Sequence, residues 1–434
     1  MAARRPVCPP SAPETARIAR IGADGDGIAD LPDGSRRYVP FTLPGERVTL
    51  RRTARRGDGF AAIAQSIDDA SSARAQPPCP HFGRCGGCTL QHWQIAPYRE
   101  WKTGLLRNAL RRAGYDVAPA PLASTPPAAR RRFDMAAIRQ GSRVALGLHV
   151  SRGTAVVDLH TCAVLHPALA ALLDPLRAVL SALAALRRQA AVIGNLLDTG
   201  PDLLLRTDAS LTAPDRAQLA DFARTHRLPR VAWARGGDAP EIAAQLRPAT
   251  VTFGGIAVTP PPGAFLQASA AGARAIVAAV CAGLPENLPP RAWVAELFAG
   301  CGTLTFPLGA CARVAAFEGD GAAAAALAAA VNEAGQAGRI VVARRDLARQ
   351  PLVAAELSRF AAVILDPPHA GAAAQVAQIA ASAIPRVIYV SCNPAALARD
   401  AATLRTAGYR VLSAQPIDQF LWSARLESVV VFAR

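Results

Sequence analysis

The sequence predicts a multi-domain α/β protein that ends in a doubly wound parallel sheet. Beyond Pro260-Pro-Pro-Gly263, strand-length apolar runs alternate with helix-length runs, which is the pattern of βαβ units. Near the N-terminus, short alternating runs separated by glycine and proline turns are typical of a small OB-like β-barrel. Mixed strand and helix patterns between these parts indicate a central α+β domain.

These changes of pattern divide the chain into four segments. Residues 1–14 hold four prolines and no periodic pattern, so we expect a disordered tail. Residues 15–70 are expected to form the barrel, residues 71–262 the central domain, and residues 263–434 the C-terminal Rossmann-like sheet. No internal repeat is apparent.

The barrel prediction depends on strands near residues 16–21, 38–41 and 48–51, with turns at Gly25-Asp-Gly27 and Pro44-Gly45. This region carries many arginines: Arg36, Arg37, Arg47, Arg51, Arg52, Arg55 and Arg56. We expect them to line a groove that tracks phosphates. The alternative is a basic face that is only solvated.

The remaining elements follow from periodicity and turn signals. In the central part we expect helices at 98–113, 168–188 and 213–225, and strands at 144–150, 203–207, 231–235 and 256–259. In the C-terminal part we expect strands at 293–297, 314–318, 340–343, 362–365, 387–390 and 427–432. The last of these, with a turn at Gly408-Tyr409, indicates terminal antiparallel strands.

Composition narrows the class of partner. The chain has 48 basic and 32 acidic residues, a net charge of +16, which favours nucleic acid. Genomic base composition explains why arginine replaces lysine, but it does not explain the excess of basic over acidic residues.

With no apolar run of about 18 residues and no secretory signal, we expect a cytoplasmic protein, and a monomer. An odd number of cysteines, nine, argues against a disulfide framework.

Three cysteines cluster in Cys79-x5-Cys85-x2-Cys88, among glycines that let the loop fold tightly. A fourth ligand is needed, and Cys162 is the best candidate. Four thiolates suit zinc or an iron–sulfur cluster. Three clustered cysteines plus one remote cysteine favour [4Fe–4S], while zinc and an unmetallated loop are the alternatives.

A glycine turn follows the first strand of the C-terminal sheet. The segment from Glu296 to Gly302, Glu-x-Phe-x-Gly-x-Gly, resembles the first motif of class I S-adenosylmethionine methyltransferases. Glu318 ends the next strand, where an acid could bind both ribose hydroxyls. Asp346 follows the third strand and could meet adenine, or it could cap a helix. Asp366, before two prolines, could bind a base edge or cap the next helix.

Cys392 follows an apolar strand, so its thiol faces the crevice of an open α/β sheet. Uracil C5 is a poor nucleophile, and addition of a thiolate at C6 makes C5 reactive enough to accept a methyl group. A base must then remove the C5 proton. A helix beginning near Asn393-Pro394 is expected to lower the pKa of the thiol. The alternative is a buried, inert cysteine.

Together these motifs resemble the bacterial RNA uracil-5-methyltransferase family, in its iron–sulfur 23S ribosomal RNA branch. Residues 15–68 resemble a TRAM domain. The resemblance places a [4Fe–4S] cluster on Cys79, Cys85, Cys88 and Cys162. It implies contacts to S-adenosylmethionine or the target base by Gln267, Phe298, Thr303, Glu318, Asp346 and Asp366. Ser269 stands where the family usually has asparagine.

The most specific match is Ser391-Cys-Asn-Pro394 followed by Leu397-Ala-Arg-Asp400. It implies that Cys392 is the nucleophile, and the alignment implies that Glu427 abstracts the proton. Two departures stand out. His369 replaces the usual arginine after Asp-Pro-Pro, and residues 421–425 replace a stretch that bears Pro, Thr and His.

The sequence therefore predicts methylation of a uridine in structured RNA, with ribosomal RNA expected and transfer RNA as the near alternative. The target base must be flipped out of its stack. A radical enzyme with a cluster is a rival class, but it needs a compact C-x3-C-x2-C that is absent here. In a non-catalytic RNA-binding protein, Cys392, Asp366 and Glu427 would have no chemical role.

Overall fold

The computed structural model describes residues 12–289 and 291–434. Most of the expected disordered tail, residues 1–11, lies outside the described residues. Within the described ranges, no helix is both long and apolar enough to cross a membrane.

The N-terminal sheet has six strands in the order β1-β5-β6-β4-β3-β2. They are β1 Glu14–Arg17, β2 Arg20–Ile21, β3 Gly27–Asp30, β4 Arg36–Val39, β5 Arg47–Arg56 and β6 Gly59–Asp69. The two outer strands, β1 and β2, are consecutive parts of one segment, so the sheet closes on itself. Ile18, Val39, Val48 and Leu50 fill its interior. Several of its arginines, including Arg36, Arg37 and Arg56, form ion pairs with acids of the same region.

A loop without regular strands leads from this sheet to α1 Ile95–Arg112, and β7 Ala123–Ser124 follows. The central sheet has the order β10-β9-β8-β11-β12-β13-β14. Its strands and the neighbouring elements are β8 Arg132–Gln140, β9 Arg143–His149, β10 Val156–Asp158, α2 Pro167–Ala170, α3 Leu173–Ala182, β11 Gln189–Leu197, β12 Gly200–Thr207, α4 Ala213–Thr225, β13 Arg230–Arg235 and β14 Glu241–Gln245. A short hairpin, β15 Val251–Phe253 and β16 Ile256–Val258, comes next.

The single helix expected at 168–188 is wrong. The chain forms α2 and α3 instead, separated by a turn, and α3 stops at Ala182. Pro175 lies in the first turn of α3, where its missing N–H is tolerated; inside one long helix it would break the hydrogen-bond ladder. Beyond α3, the Asp208 carboxylate accepts the backbone N–H groups of residues 187–189 and holds that segment in a turn before β11.

The C-terminal sheet has eight strands in the order β19-β18-β17-β20-β21-β23-β22-β7. Its elements are α5 Ala270–Ala282, β17 Trp293–Leu297, α6 Thr305–Cys311, β18 Arg313–Glu318, α7 Gly321–Glu333, β19 Ile340–Arg344, α8 Ala354–Leu357, β20 Ala362–Leu365, α9 Ala373–Ala381, β21 Arg386–Ser391, α10 Pro394–Thr406, β22 Arg410–Asp418 and β23 Glu427–Ala433. Strands β17 to β21 run parallel, and β23 lies antiparallel between β21 and β22. The predicted doubly wound sheet is confirmed.

Helices cover both faces of this sheet, which explains its nearly continuous apolar strands. Helices α5, α6 and α7 pack on one face, and α1, α9 and α10 pack on the other. Thus α1 and β7, early in the chain, lie against the C-terminal sheet. Strand order reverses between β17 and β20, so a crevice opens at the carboxyl ends of these strands, where open α/β sheets bind ligands.

Candidate active site

Cys392 lies one residue past β21, at the carboxyl edge of the sheet. Asn393 caps α10 there, because its side-chain oxygen accepts the N–H of Ala395 at 3.0 Å. The thiol is half-buried. The expected lowering of its pKa by the helix is wrong: burial, and then the carboxylates of Glu427 and Asp366, raise the pKa of the Cys392 thiol to about 11. Desolvation outweighs the helix terminus.

Glu427 begins β23, next to the thiol. Ser391 and Ser428 are paired across β21 and β23, so Glu427 and Cys392 are neighbours on adjacent strands. Glu427 is buried, and its Oε2 accepts a hydrogen bond of 2.8 Å from Nε2 of Gln419, while Oε1 has no partner among the described residues. An unpaired buried carboxylate oxygen is costly, and functional sites are where such groups occur.

Two glutamines connect Glu427 to Asp366. Gln419 Nε2 also donates to Gln267 Oε1 at 2.8 Å, and Gln267 Nε2 donates to Asp366 Oδ2 at 3.0 Å. Gln419 Oε1 accepts the backbone N–H of Ala268 at 2.9 Å, which fixes its orientation. Asp366 therefore faces the crevice beside Gln267, and its carboxylate does not cap the next helix, α9, whose N-cap is Ala372.

The site holds more acids than it can keep ionised. Burial raises the pKa of Asp366 to about 7. Burial, reinforced by Asp366, raises the pKa of Glu427 well above its usual range. Glu296 at the end of β17 is also buried, and its pKa is raised to about 8. Together these neighbouring carboxyls carry less negative charge than their number suggests, and Glu427, once ionised, is a strong proton acceptor beside the thiol.

The glycine turn after β17 forms the other wall of the crevice. Gly300 and Gly302 have φ of 56° and 100°, and Phe298 adopts φ of 66°, which is rare for a side chain with a Cβ. A Cβ at Gly302 would lie 2.7 Å from Leu327, so only glycine fits there. Glu318 accepts the backbone N–H of Gly300 at 2.7 Å, and this bond holds the turn against the end of β18.

The remaining predicted contacts lie around this turn. Thr303 is half-buried just before α6. Asp346 follows β19, and its Oδ1 accepts the backbone N–H groups of Ala348 and Arg349 at 3.1 and 3.3 Å. Ser269 caps α5 by accepting the N–H of Gly272 at 2.9 Å, so serine serves as a helix cap at the position where asparagine is usual.

The four predicted metal-ligating cysteines lie close enough to influence one another. Burial raises the pKa of Cys85, Cys88 and Cys162, and the other thiols of the set raise it further. Gly87 N–H points at Cys85 Sγ, 3.5 Å away, and the N–H groups of residues 164 and 165 lower the pKa of Cys162. In residues 12–289 and 291–434, no three His, Cys, Asp or Glu side chains form a group that could hold a single metal ion.

A cleft of about 1420 Å³ opens beside the thiol. Cys392, His369 and Arg425 line it, and so do Gly87 and Cys162. Residues of the N-terminal sheet, including Arg20 and Arg36, also contribute to its lining. One cleft therefore reaches the N-terminal sheet, the cysteine-bearing loop and the thiol.

Sequence reasoning missed two groups of this site. Gln419 joins the two acids, and Lys102 holds the loop on which Gln419 and Arg425 lie: its ammonium is buried against Asp418 Oδ1 at 2.8 Å and also donates to the carbonyl of Arg425. The only sequence signal for either was that Lys102 is the single lysine of the chain. Trp422, in the departing stretch 421–425, lies on the same loop, and its carbonyl accepts the N–H groups of Thr89 and Leu90.

Comparison with known proteins identifies the family of the chain. A family model described as tRNA (Uracil-5-)-methyltransferase matches residues 294–434. An uncharacterized RNA methyltransferase of Brucella suis biovar 1 is 40% identical over 96% of this chain and 97% of its own length. The 23S rRNA (uracil(1939)-C(5))-methyltransferase RlmD of Pectobacterium atrosepticum is 33% identical over 96% of this chain and 93% of its own.

Among solved structures, the Pyrococcus abyssi tRNA (uracil-54, C5)-methyltransferase in complex with S-adenosyl-L-homocysteine superposes with a TM-score of 0.72. It covers 96% of this chain and 99% of its own at 19% identity, so the likeness concerns the mixed α/β methyltransferase fold. With two full-length relatives above 30% identity, the chain belongs to the RNA uracil-5-methyltransferase family.

Proposed function

We propose that this chain methylates C5 of a specific uridine in 23S ribosomal RNA through a covalent bond between Cys392 and C6 of the base. The observation that carries the proposal is the meeting of a thiol and a buried carboxyl with a free oxygen at one edge of the sheet. The relative RlmD supports ribosomal RNA as the substrate, because it matches over nearly the whole of both chains.

The proposed chemistry uses the two groups in turn. Cys392 adds as a thiolate to C6, and the electron density displaced toward C5 makes that carbon nucleophilic. S-adenosylmethionine, when bound, supplies an electrophilic methyl group. Glu427, which must first give up its own proton to solvent because burial raises its pKa, then removes the proton from C5 as a carboxylate, and the thiolate leaves C6 as the ring double bond returns. The free Oε1 of Glu427 is the acceptor available for this proton.

The cofactor would lie in the crevice beside the glycine turn. Phe298, Thr303, Glu318 and Asp346 surround that turn and the ends of the next two strands, where a nucleoside is bound in open α/β sheets. Gln267 and Asp366 lie between this crevice and Glu427, as their hydrogen bonds require. They would contact both the cofactor and the edge of the flipped base.

RNA would be held along the cleft by the barrel and the central domain. The net charge of +16 supports binding to a polyanion. The closed N-terminal sheet would serve as a TRAM domain, residues 15–70, followed by the central domain to residue 262 and the methyltransferase domain beyond it. Because α1 and β7 pack on the C-terminal sheet, the central domain would be fastened to the methyltransferase domain at that point.

Cys79, Cys85, Cys88 and Cys162 would hold a [4Fe–4S] cluster. The thiols of Cys79, Cys85 and Cys162 lie close enough to Cys88 to raise its pKa further after burial, and the N–H of Gly87 points at Cys85 Sγ, the kind of contact that tunes a cluster. The cluster would supply a rigid cross-link between residues 79–88 and residue 162, and so shape the part of the cleft that Gly87 and Cys162 line.

A trapping experiment tests the covalent step. RNA that carries 5-fluorouridine at the target cannot lose fluorine from C5, so the adduct should persist and survive denaturing electrophoresis. Cys392→Ala should form no adduct and lose turnover while keeping cofactor affinity. Substitution of Cys281, which lies on α5, is the matched control. Continued methylation by the Cys392→Ala variant would refute the mechanism.

The substrate is tested separately by mapping 5-methyluridine in cells that lack this protein. We expect one position of 23S ribosomal RNA to lose its methyl group and regain it on complementation. Loss at a transfer RNA position instead would assign the activity to transfer RNA.

A further inference from the structure

Both departures from the family pattern meet at the thiol. His369 follows Asp366 and its two prolines, and Arg425 precedes Glu427 by two positions. Nδ1 of His369 lies 3.8 Å from Sγ of Cys392, within hydrogen-bond reach of sulfur. A guanidinium nitrogen of Arg425 lies 2.9 Å from Nε2 of the same imidazole and 3.5 Å from its Nδ1, so its closer contact is with Nε2. Contacts therefore run from Arg425 through His369 to the sulfur of Cys392.

The proton on His369 can be located from its neighbours. Asn393 Oδ1 accepts the N–H of Ala395, so the amide nitrogen is the atom that faces His369. That nitrogen donates to the backbone carbonyl of His369 at 2.8 Å and lies 3.4 Å from Nε2. Nε2 thus meets N–H groups of both Asn393 and Arg425, and a guanidinium offers no acceptor. Nε2 must contribute its lone pair.

A neutral imidazole has one donor and one acceptor nitrogen, so the proton lies on Nδ1. The Nδ1–H group then faces Sγ at 3.8 Å and donates to it. His369 therefore cannot be the base that takes the thiol proton in this arrangement.

We propose that His369 is a further catalytic residue, a neutral imidazole whose Nδ1–H donates a hydrogen bond to the Cys392 thiolate, and that Arg425 is the positioning residue that fixes this tautomer. The inference rests on the proposed function, in which Cys392 is the nucleophile. Ionisation of the thiol releases its proton to water in the cleft, and no group is oxidised or reduced. The same hydrogen bond stabilises the thiolate again when it leaves C6.

The site needs such a donor because its other features oppose ionisation. Burial and the nearby Glu427 and Asp366 favour the neutral thiol more strongly than the local backbone and Arg425 favour the anion. A hydrogen bond made to the charged form shifts this balance back. His369 is placed to make that bond without adding a charge beside Arg425.

The first test measures the thiolate directly in the RNA-free, full-length protein. Alkylation of Cys392 by iodoacetamide is followed by peptide mass spectrometry between about pH 6 and pH 10, where thiols ionise. His369→Phe should slow alkylation at neutral pH about tenfold, equal to a rise of about one pKa unit. His369→Asn keeps an N–H near the position of Nδ1 and should restore much of the rate.

The second test observes the tautomer. Nitrogen NMR of histidine-labelled protein, assigned with His369→Asn, should show His369 protonated at Nδ1 and bare at Nε2. Arg425→Met removes the main donor to Nε2 and should shift His369 toward the Nε2–H form. An Nε2–H tautomer in the wild type, or unchanged alkylation in His369→Phe, would overturn the inference.

The two proposals fail in different ways. If Cys392→Ala loses methylation while His369→Phe keeps the wild-type alkylation profile, the covalent mechanism stands and the role of His369 falls. If Cys392→Ala retains methylation, the covalent mechanism itself falls, whatever the alkylation profile shows.

Discussion

At residue 427 a carboxylic acid is buried with one oxygen paired to Gln419 and the other unpaired. In the unfolded chain this acid ionises near its usual pKa of 4.5, whereas in the folded chain burial holds the pKa well above it. The folded state therefore binds a proton that the unfolded state releases, and stability is lost as pH rises above about 4.5. The proposed base is thus present at a cost to stability.

Glu427→Gln should make the protein more stable and inactive. Glutamine keeps an oxygen for Gln419 and adds no charge, so we expect a gain of about 1–3 kcal/mol at about pH 8, shrinking toward about pH 5 as the wild-type acid becomes protonated. Methylation should fall by about 10²–10⁴-fold as the general base is lost. Covalent adducts should accumulate, because the C5 proton stays in place.

Thermal unfolding at the two pH values, with gel detection of adducts on RNA, checks this prediction. Glu333→Gln, at an exposed position on α7, is the matched control and should change neither property. Equal unfolding midpoints for wild type and Glu427→Gln at both pH values would contradict it.

Residue types at strand ends were predictable from the sequence, but the partners of their side chains were not. Cys392 and Asp366 end buried strands, so their place at one edge follows from sheet topology. The pKa of Cys392 is raised by burial and then by Glu427, which comes from an antiparallel strand inserted later in the chain. Gln419 lies in a segment with no motif, and only the folded loop shows that it links two acids.

At the scale of elements, the cysteine loop connects to the site through main-chain hydrogen bonds. The N–H groups of Thr89 and Leu90 donate to the Trp422 carbonyl at 2.8 and 3.0 Å. Trp422 has φ of 58° and lies on the loop between β22 and β23 that also carries Gln419 and Arg425. The conformation of residues 79–90 is therefore coupled to the conformation of the loop beside the thiol.

Protein purified without oxygen should be brown and contain about four irons per chain. Cys162→Ser should lower the iron content and the characteristic absorbance, because it removes one of the four proposed ligands. Cys281→Ser, on α5 and away from the loop, should leave both unchanged. A colourless preparation loaded with zinc in the wild type would contradict the cluster.

Element prediction succeeded where apolar runs were long and separated by clear turns. The strands around β17, β18 and β20 and the helix α4 were expected within one residue at each end. Strand β6, with alanines and many exposed side chains, has no strong apolar alternation, so it was not recognised. The 168–188 region has helical composition throughout, and its break depends on Pro175 and on the distant carboxylate of Asp208.

At the scale of the whole molecule, one buried ion pair joins segments more than 300 positions apart. Lys102 on α1 and Asp418 at the end of β22 are almost completely buried, and Tyr98 donates a further hydrogen bond of 2.7 Å to Asp418. Breaking a buried pair leaves one charge without compensation. Docking of α1 on the C-terminal sheet therefore depends on this contact as well as on apolar packing.

Lys102→Met should destabilise the protein by about 3–5 kcal/mol and reduce methylation, because the loop that bears Arg425 loses an anchor. Chemical unfolding and steady-state kinetics measure the two effects. The double variant Lys102→Met with Asp418→Asn should lose less than the sum of the single changes. Arg99→Met, exposed on the same helix, is the control. An unchanged unfolding midpoint in Lys102→Met would contradict this role.

Lys102 is the only lysine in the chain, and its ammonium is fully buried. Amine-reactive dyes applied to the native protein should therefore find no side chain to modify. A labelled side chain should appear only when α1 separates from the sheet beneath it. Dye incorporation at this one position would then report how often the molecule opens, without any engineered probe.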